Sequence, residues 1–80
     1  MNFENRIELN AKVLLGKPLI RGTRIPVELL LRKLSEGATE TELLDAYPAL
    51  KAEDIKAALA YAAKTIAHEE IDFANDATRR

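Results

Sequence analysis

The sequence predicts a mainly α-helical fold, three helices preceded by short β-strands, and three observations carry this reading. Val27, Leu30, Leu31 and Leu34 recur at helical spacing directly after Pro26. Thr39-Glu40-Thr41-Glu42 is a second helix-start signal, and Pro48 closes the short segment it opens. From about Ala52 the chain is alanine-rich and periodic, which favours a long third helix.

The front of the chain reads as extended. Ile7-Glu8-Leu9 alternates as an edge strand does, and Val13-Leu14-Leu15 leads into Gly16. These pieces are too short to form a sheet alone, so they should pair with Pro18-Leu19-Ile20, with each other across a dimer, or with both. In the run Gly16-Lys17-Pro18-Leu19-Ile20-Arg21-Gly22-Thr23-Arg24-Ile25-Pro26-Val27, glycines and prolines bracket a short apolar pair. That pattern excludes helix and predicts a tight turn at Gly22, with Arg21 and Arg24 at its tip. A stiff, basic loop of this kind either touches an anion or locks two pieces of protein together.

Pro26 suits the first helical position, because it lacks the N–H that would be orphaned there. Glu28 then lies near the positive end of the first helix dipole, Arg32 and Lys33 near its negative end, and Gly37 is placed to end the helix as a left-handed cap. In the second helix Thr39 and Glu42 form a capping box, and Leu43 and Leu44 supply the buried side. A turn through Pro48-Ala49-Leu50 follows. The third helix has Glu53 and Asp54 in its first turn and an expected apolar line through Ile55, Leu59, Ala62 and Ile66. After His68-Glu69-Glu70 the pattern weakens, and Ile71 and Phe73 stand alone in a polar tail ending Thr78-Arg79-Arg80. The organisation expected is a single domain: strands and basic loop over 1–25, a three-helix core over 26–68, and a tail over 69–80.

A domain of 80 residues hides only about 60 % of its unfolded surface, so a partner or a second copy is expected to complete it. Its 48 % hydrophobic and 31 % charged residues are those of a folded globular protein. Residues 1–35 hold seven Lys/Arg against three acids, whereas residues 36–80 hold five against ten. This split, +4 against −5, suits a basic surface turned toward an anionic ligand such as nucleic acid. The absence of cysteine excludes disulfides, thiolate catalysis and Cys-ligated zinc. No apolar run approaches the roughly 20 residues needed to cross a bilayer, and the first residues are too polar for a signal peptide, so a cytoplasmic protein without a membrane segment is expected.

Three helices, the second short and joined to the third by a tight turn, describe a three-helix, homeodomain-like helix-turn-helix with a short N-terminal β-strand hairpin. In such a fold the N-terminal part of the third helix would read DNA, yet Glu53 and Asp54 stand there, and Lys51 and Lys56 only offset them. The candidate nucleic-acid contacts are therefore Lys17, Arg21, Thr23 and Arg24 in the front loop, with Lys51 and Lys56 on the third helix. Ile71 and Phe73 are candidate partner-binding residues, since apolar anchors in a polar segment commonly order on another protein.

Catalytic readings find no support. Gly16-Lys17 lacks the Ser or Thr and the earlier glycine of a P-loop, Gly16 and Gly22 do not match a dinucleotide fingerprint, and His68 is the lone histidine. No nucleophile, base and orienter can be assembled, so neither an enzyme nor a cofactor or metal protein is expected.

The run from Gly16 to Val27, then Gly37, Tyr47-Pro48, Leu50, Glu53-Asp54-Ile55 and Ala57-Ala58-Leu59-Ala60-Tyr61-Ala62, resembles the prokaryotic family called domain of unknown function 433, over about residues 7–63. The resemblance implies a homeodomain-like fold and a VapB-type antitoxin that accompanies a PIN-like ribonuclease toxin. One departure stands out: where the family commonly has a threonine to cap the third helix, this chain has Lys51, so the cap must come from elsewhere or be weak. The expected function is an antitoxin-like homodimer that contacts operator DNA with its basic half and a toxin with its C-terminal segment. The alternative is a small dimeric protein-interaction module without DNA-binding activity.

Overall fold

A computed structural model of the chain describes residues 5–10, 12 and 16–77, with residues 68–77 described by their backbone alone. The order of elements is β1 (Ile7–Glu8), β2 (Leu19–Ile20), α1 (Val27–Ser35), α2 (Glu40–Ala46) and α3 (Ala52–Ala77). Three helices with a small antiparallel strand pair form the mainly helical domain that the sequence predicts. The Val13-Leu14-Leu15 segment lies outside the described residues.

β1 pairs with β2 in the register Ile7↔Ile20 and Glu8↔Leu19, which settles the pairing within one chain. Between β2 and α1 the chain reverses tightly. Thr23 N–H donates to the Ile20 carbonyl at 3.0 Å, and Gly22 takes φ +81 in between. A positive φ at the third residue of a four-residue turn is what a type II turn requires, and glycine adopts it without strain. Thr23 Oγ1 reinforces the reversal, donating to Ile20 O at 2.7 Å and accepting from Ile25 N–H at 3.0 Å.

Pro26 is the N-cap of α1 rather than its first helical residue. Its ψ of 141 is extended and it bridges back to Leu19, so the proline still belongs to the strand layer while its carbonyl accepts the first helical N–H groups. At the other end of α1, Ala38 N–H reaches the Lys33 carbonyl and Gly37 N–H the Leu34 carbonyl, both at 3.0 Å. This is a Schellman motif with Gly37, φ +102, in the left-handed position. Thr39 follows at once as the N-cap of α2. Its hydroxyl accepts from Glu42 N–H at 3.1 Å, and Glu42 Oε1 accepts from Thr39 N–H at 2.8 Å. α2 ends as its sequence requires, with Tyr47 extended before Pro48 and Leu50 N–H closing a turn onto the Tyr47 carbonyl at 2.8 Å.

The core gathers Ile7 and Ile20 from the strands, Val27 and Leu30 from α1, Leu43 from α2, Leu50 from the turn, and Ile55, Ala57 and Ala58 from α3. Leu30 is fully buried, and its truncation to alanine would cost about 2–5 kcal/mol. The buried face of α3 differs from the sequence expectation. Ile55 is inside, but Leu59 and Ile66 are 49 % and 54 % exposed, and the alanines Ala57 and Ala58 take the core instead. The reason is closeness: a helix that presents alanine to its neighbours packs nearer to them than one that presents leucine, and the leucine is turned outward. α3 also continues past the weakening of the sequence pattern, its backbone helical to Ala77.

Gly37 offers a direct check, because a Cβ placed there meets nothing within 4 Å and only backbone strain opposes it. Gly37→Ala is expected to lower stability by about 1–2 kcal/mol, read as a fall of several degrees in melting temperature.

Candidate functional site

The organising residue of the surface before α3 is Asp54, which is 5 % exposed. It stands at the third position of α3, where a side chain can fold back on the helix start. Its Oδ2 accepts from Lys51 N–H at 2.9 Å, and the Lys51 carbonyl in turn accepts from Asp54 N–H at 2.9 Å. The cap that Lys51 cannot supply therefore comes from Asp54, as the carboxylate half of a capping box. The other oxygen, Oδ1, accepts from Arg6 Nη1 at 2.9 Å. One buried carboxylate thus caps a helix and ties down the residue that leads into β1.

Arg21 completes this junction. Its backbone N–H donates to the Arg6 carbonyl at 2.7 Å, its Nε to the Asn5 carbonyl at 2.8 Å and its Nη2 to the Ile7 carbonyl at 3.1 Å. The planar fork of guanidinium suits the two carbonyls on either side of Arg6, at the entry to β1, a geometry that lysine cannot copy. Asn5, Arg6, Arg21 and Asp54 line a shallow, open polar cleft on this side of the molecule. Arg21 acts here as a clasp between the front loop and the N-terminal strand.

The remaining candidates are spread over the surface. Lys17 is exposed and donates to Glu28 Oε1 at 3.1 Å, while Arg32 Nη2 donates to Glu28 Oε2 at 2.9 Å. The Lys17 hydrogen bond and charge, followed by those of Arg32, hold the Glu28 carboxyl below its usual range. The pairing is thus present above the ordinary glutamate pKa and lost as pH falls through the lowered one. Thr23 spends its hydroxyl on the turn. Arg24 is exposed at the tip of the loop, and Lys51 and Lys56 are exposed at the start of α3. The backbone at Ile71 and Phe73 is part of α3, and their side chains lie outside the described residues.

The sequence reading placed Asp54 in the first turn of α3 as a dipole partner and missed both of its bonds. The backward bond to Lys51 was accessible from its position three residues after the N-cap. The pairing with Arg6, 48 residues away, had no local signal.

Three substitutions probe this junction. Asp54→Ala removes both the cap and the ion pair, and Arg6→Ala leaves the Asp54 carboxylate buried without its cation; each is expected to cost about 2–4 kcal/mol in a urea melt. Arg21→Ala is expected to retain the helical circular dichroism while exchange of the backbone amide at position 21, which is bonded to the Arg6 carbonyl, accelerates because the segment it clasps is released.

Comparison with known proteins agrees with this architecture. The crystal structure of a DUF433 member protein from Anabaena variabilis ATCC 29413 superposes with a TM-score of 0.75 at 38 % identity, covering 89 % of this chain and 70 % of that one. The uncharacterized protein y4eO of Sinorhizobium fredii (strain NBRC 101917 / NGR234) is 40 % identical over 50 residues, 62 % of this chain. The match spans 23 % of that relative's length, so the chain corresponds to a small part of it. The family model for protein of unknown function DUF433 matches residues 7–62, which include β1, Arg21, Gly37 and Asp54, with Asn5 and Arg6 just before the match, and the chain belongs to that family.

Proposed function

We propose that this chain is an antitoxin-like, homodimeric helix-turn-helix protein that acts by binding, contacting operator DNA and holding a PIN-like toxin through the C-terminal segment that contains Ile71 and Phe73. The observation that carries the DNA reading is the fate of Asp54. As a sequence, the first turn of α3 is acidic and would repel phosphate. In the folded chain the Asp54 carboxylate is buried against Arg6, and the side chains exposed at the start of α3 are Lys51, Glu53 and Lys56. The balance of exposed charge there is positive, the sign that a helix approaching DNA needs. Arg24 adds an exposed cation on the front loop.

A specific observation favours the rival, a dimeric interaction module that binds no DNA. Two of the front-loop cations have internal partners, Arg21 on strand carbonyls and Lys17 on Glu28. Such engagement reduces what the basic half can offer to a ligand.

Salt dependence separates the two readings. Fluorescence anisotropy with duplexes tiled across the DNA upstream of the protein's own gene is expected to show binding that weakens steeply between 50 and 200 mM salt. The variant Arg24→Ala/Lys51→Ala should bind every duplex more weakly, with a log–log salt slope shallower by about 2. Absence of binding to any duplex at low salt, with the fold intact, would leave the interaction module as the function.

A further inference from the structure

We infer that the outward face of α3 carrying Leu59, Ala63 and Ile66 is the dimer interface, and that it receives the same face of a second copy in antiparallel orientation. The inference deepens the dimer part of the proposal above and stands independently of its DNA part. Leu59 and Ile66 are two of the three large hydrophobic residues left substantially exposed among the described residues, and they lie on one helix, seven residues apart. Ala63 between them is exposed as well, and so is the neighbouring Ala67. Among the described residues no other element covers this face: the core side of α3 runs through Asp54, Ile55, Ala57 and Ala58.

The spacing is that of a helix seam. Positions 59, 63 and 66 alternate steps of four and three, and the sequence continues them at 70, 73 and 77 and extends them backward to 56 and 52, all within the helical backbone of α3. The series reads Ala52, Lys56, Leu59, Ala63, Ile66, Glu70, Phe73, Ala77. From Leu59 to Phe73 it covers about 21 Å of helix. Small residues at 60, 63 and 67 permit a close approach of two such helices.

Charge selects a second copy, and it selects the antiparallel orientation. Lys56 and Lys64 lie in the first half of α3, with Lys51 just before it, beside Glu53 and the Arg6-paired Asp54, whereas the second half carries Glu69, Glu70, Asp72 and Asp76 with no Lys or Arg between 65 and 78. A parallel pair would set Lys56 against Lys56 and Glu70 against Glu70 of the two copies. An antiparallel pair centred between residues 64 and 65 sets position 63 against 66, 59 against 70, 56 against 73 and 52 against 77. Lys56, near one end of the seam, then comes one turn from position 70 of the other copy, a glutamate, and the acidic second halves of the two helices are kept apart. The helix is complementary to itself only when reversed.

Two measurements test this on the full chain. Sedimentation equilibrium should find the wild type dimeric at micromolar concentration and Leu59→Lys/Ile66→Lys monomeric, with helical circular dichroism retained and a dimer dissociation constant raised at least about 100-fold. Oxidative cross-linking reads the orientation without relying on a disruptive variant. Leu59→Cys/Glu70→Cys should form a covalent dimer, while either single cysteine should not, because positions 59 of the two copies would be about 16 Å apart, far beyond disulfide reach. A dimeric Leu59→Lys/Ile66→Lys variant, or cross-linking by a single cysteine, would overturn the interface or its orientation while leaving a dimer in place. A monomeric wild type would overturn the dimer itself.

Discussion

The fold depends on how the buried carboxylate of Asp54 is satisfied. A carboxylate cannot be taken out of water without partners, and here it has two: a backbone N–H at the start of its own helix and a guanidinium from the far end of the sequence. The first makes the beginning of α3 definite although Lys51 brings no capping side chain. The second fixes the N-terminal strand against the helical core, where Arg21 holds it a second time through its carbonyls. Strand, loop and helix are joined by polar bonds at one place, and the apolar core closes beneath them.

This arrangement changes the meaning of the charge pattern. Read along the chain, the front is basic and the back acidic. In three dimensions part of that pattern is committed internally: Arg6 pairs across the two halves with Asp54, Lys17 and Arg32 share Glu28 within the front half, and Arg21 is spent on peptide carbonyls. What is left for an outside ligand is differently placed and includes Arg24 on the loop, Lys33 near the end of α1, and Lys51 and Lys56 at the start of α3. Net charge over a stretch of sequence is therefore a poor guide to the field a partner meets, because the pairs that cancel are set by folding.

What could be read from the sequence was local. The capping box at Thr39, the glycine at the end of α1, the turn at Gly22 and the strand at Ile7 each rest on chemistry within a few residues, and each appears where expected. The buried face of α3 was misread because its hydrophobic and alanine positions offer two overlapping stripes. Periodicity alone prefers the one with larger side chains, while packing distance chose Ala57 and Ala58. Pro26 was placed one position too far into the helix because its fixed φ suits N-cap and first turn alike, and only its bridge to Leu19 distinguishes them. The candidate site was legible in part: Arg24, Lys51 and Lys56 are exposed as a ligand would require, whereas the clasp role of Arg21 depends on a strand brought in from elsewhere.

The adjoining stop and start at Gly37 and Thr39 bear on the order in which the chain can assemble. The Schellman bonds and the capping box use residues no more than five apart, so the corner between α1 and α2 can organise with almost no loop to close. The Arg6–Asp54 bond must gather a chain segment 48 residues long before it gives anything back. During synthesis β1 can pair with β2 as soon as Arg21 has emerged, but its tie to the helical core waits until the start of α3 follows. A corner that is already formed shortens that wait, by holding α1 and α2 as a surface on which the two distant ends can meet.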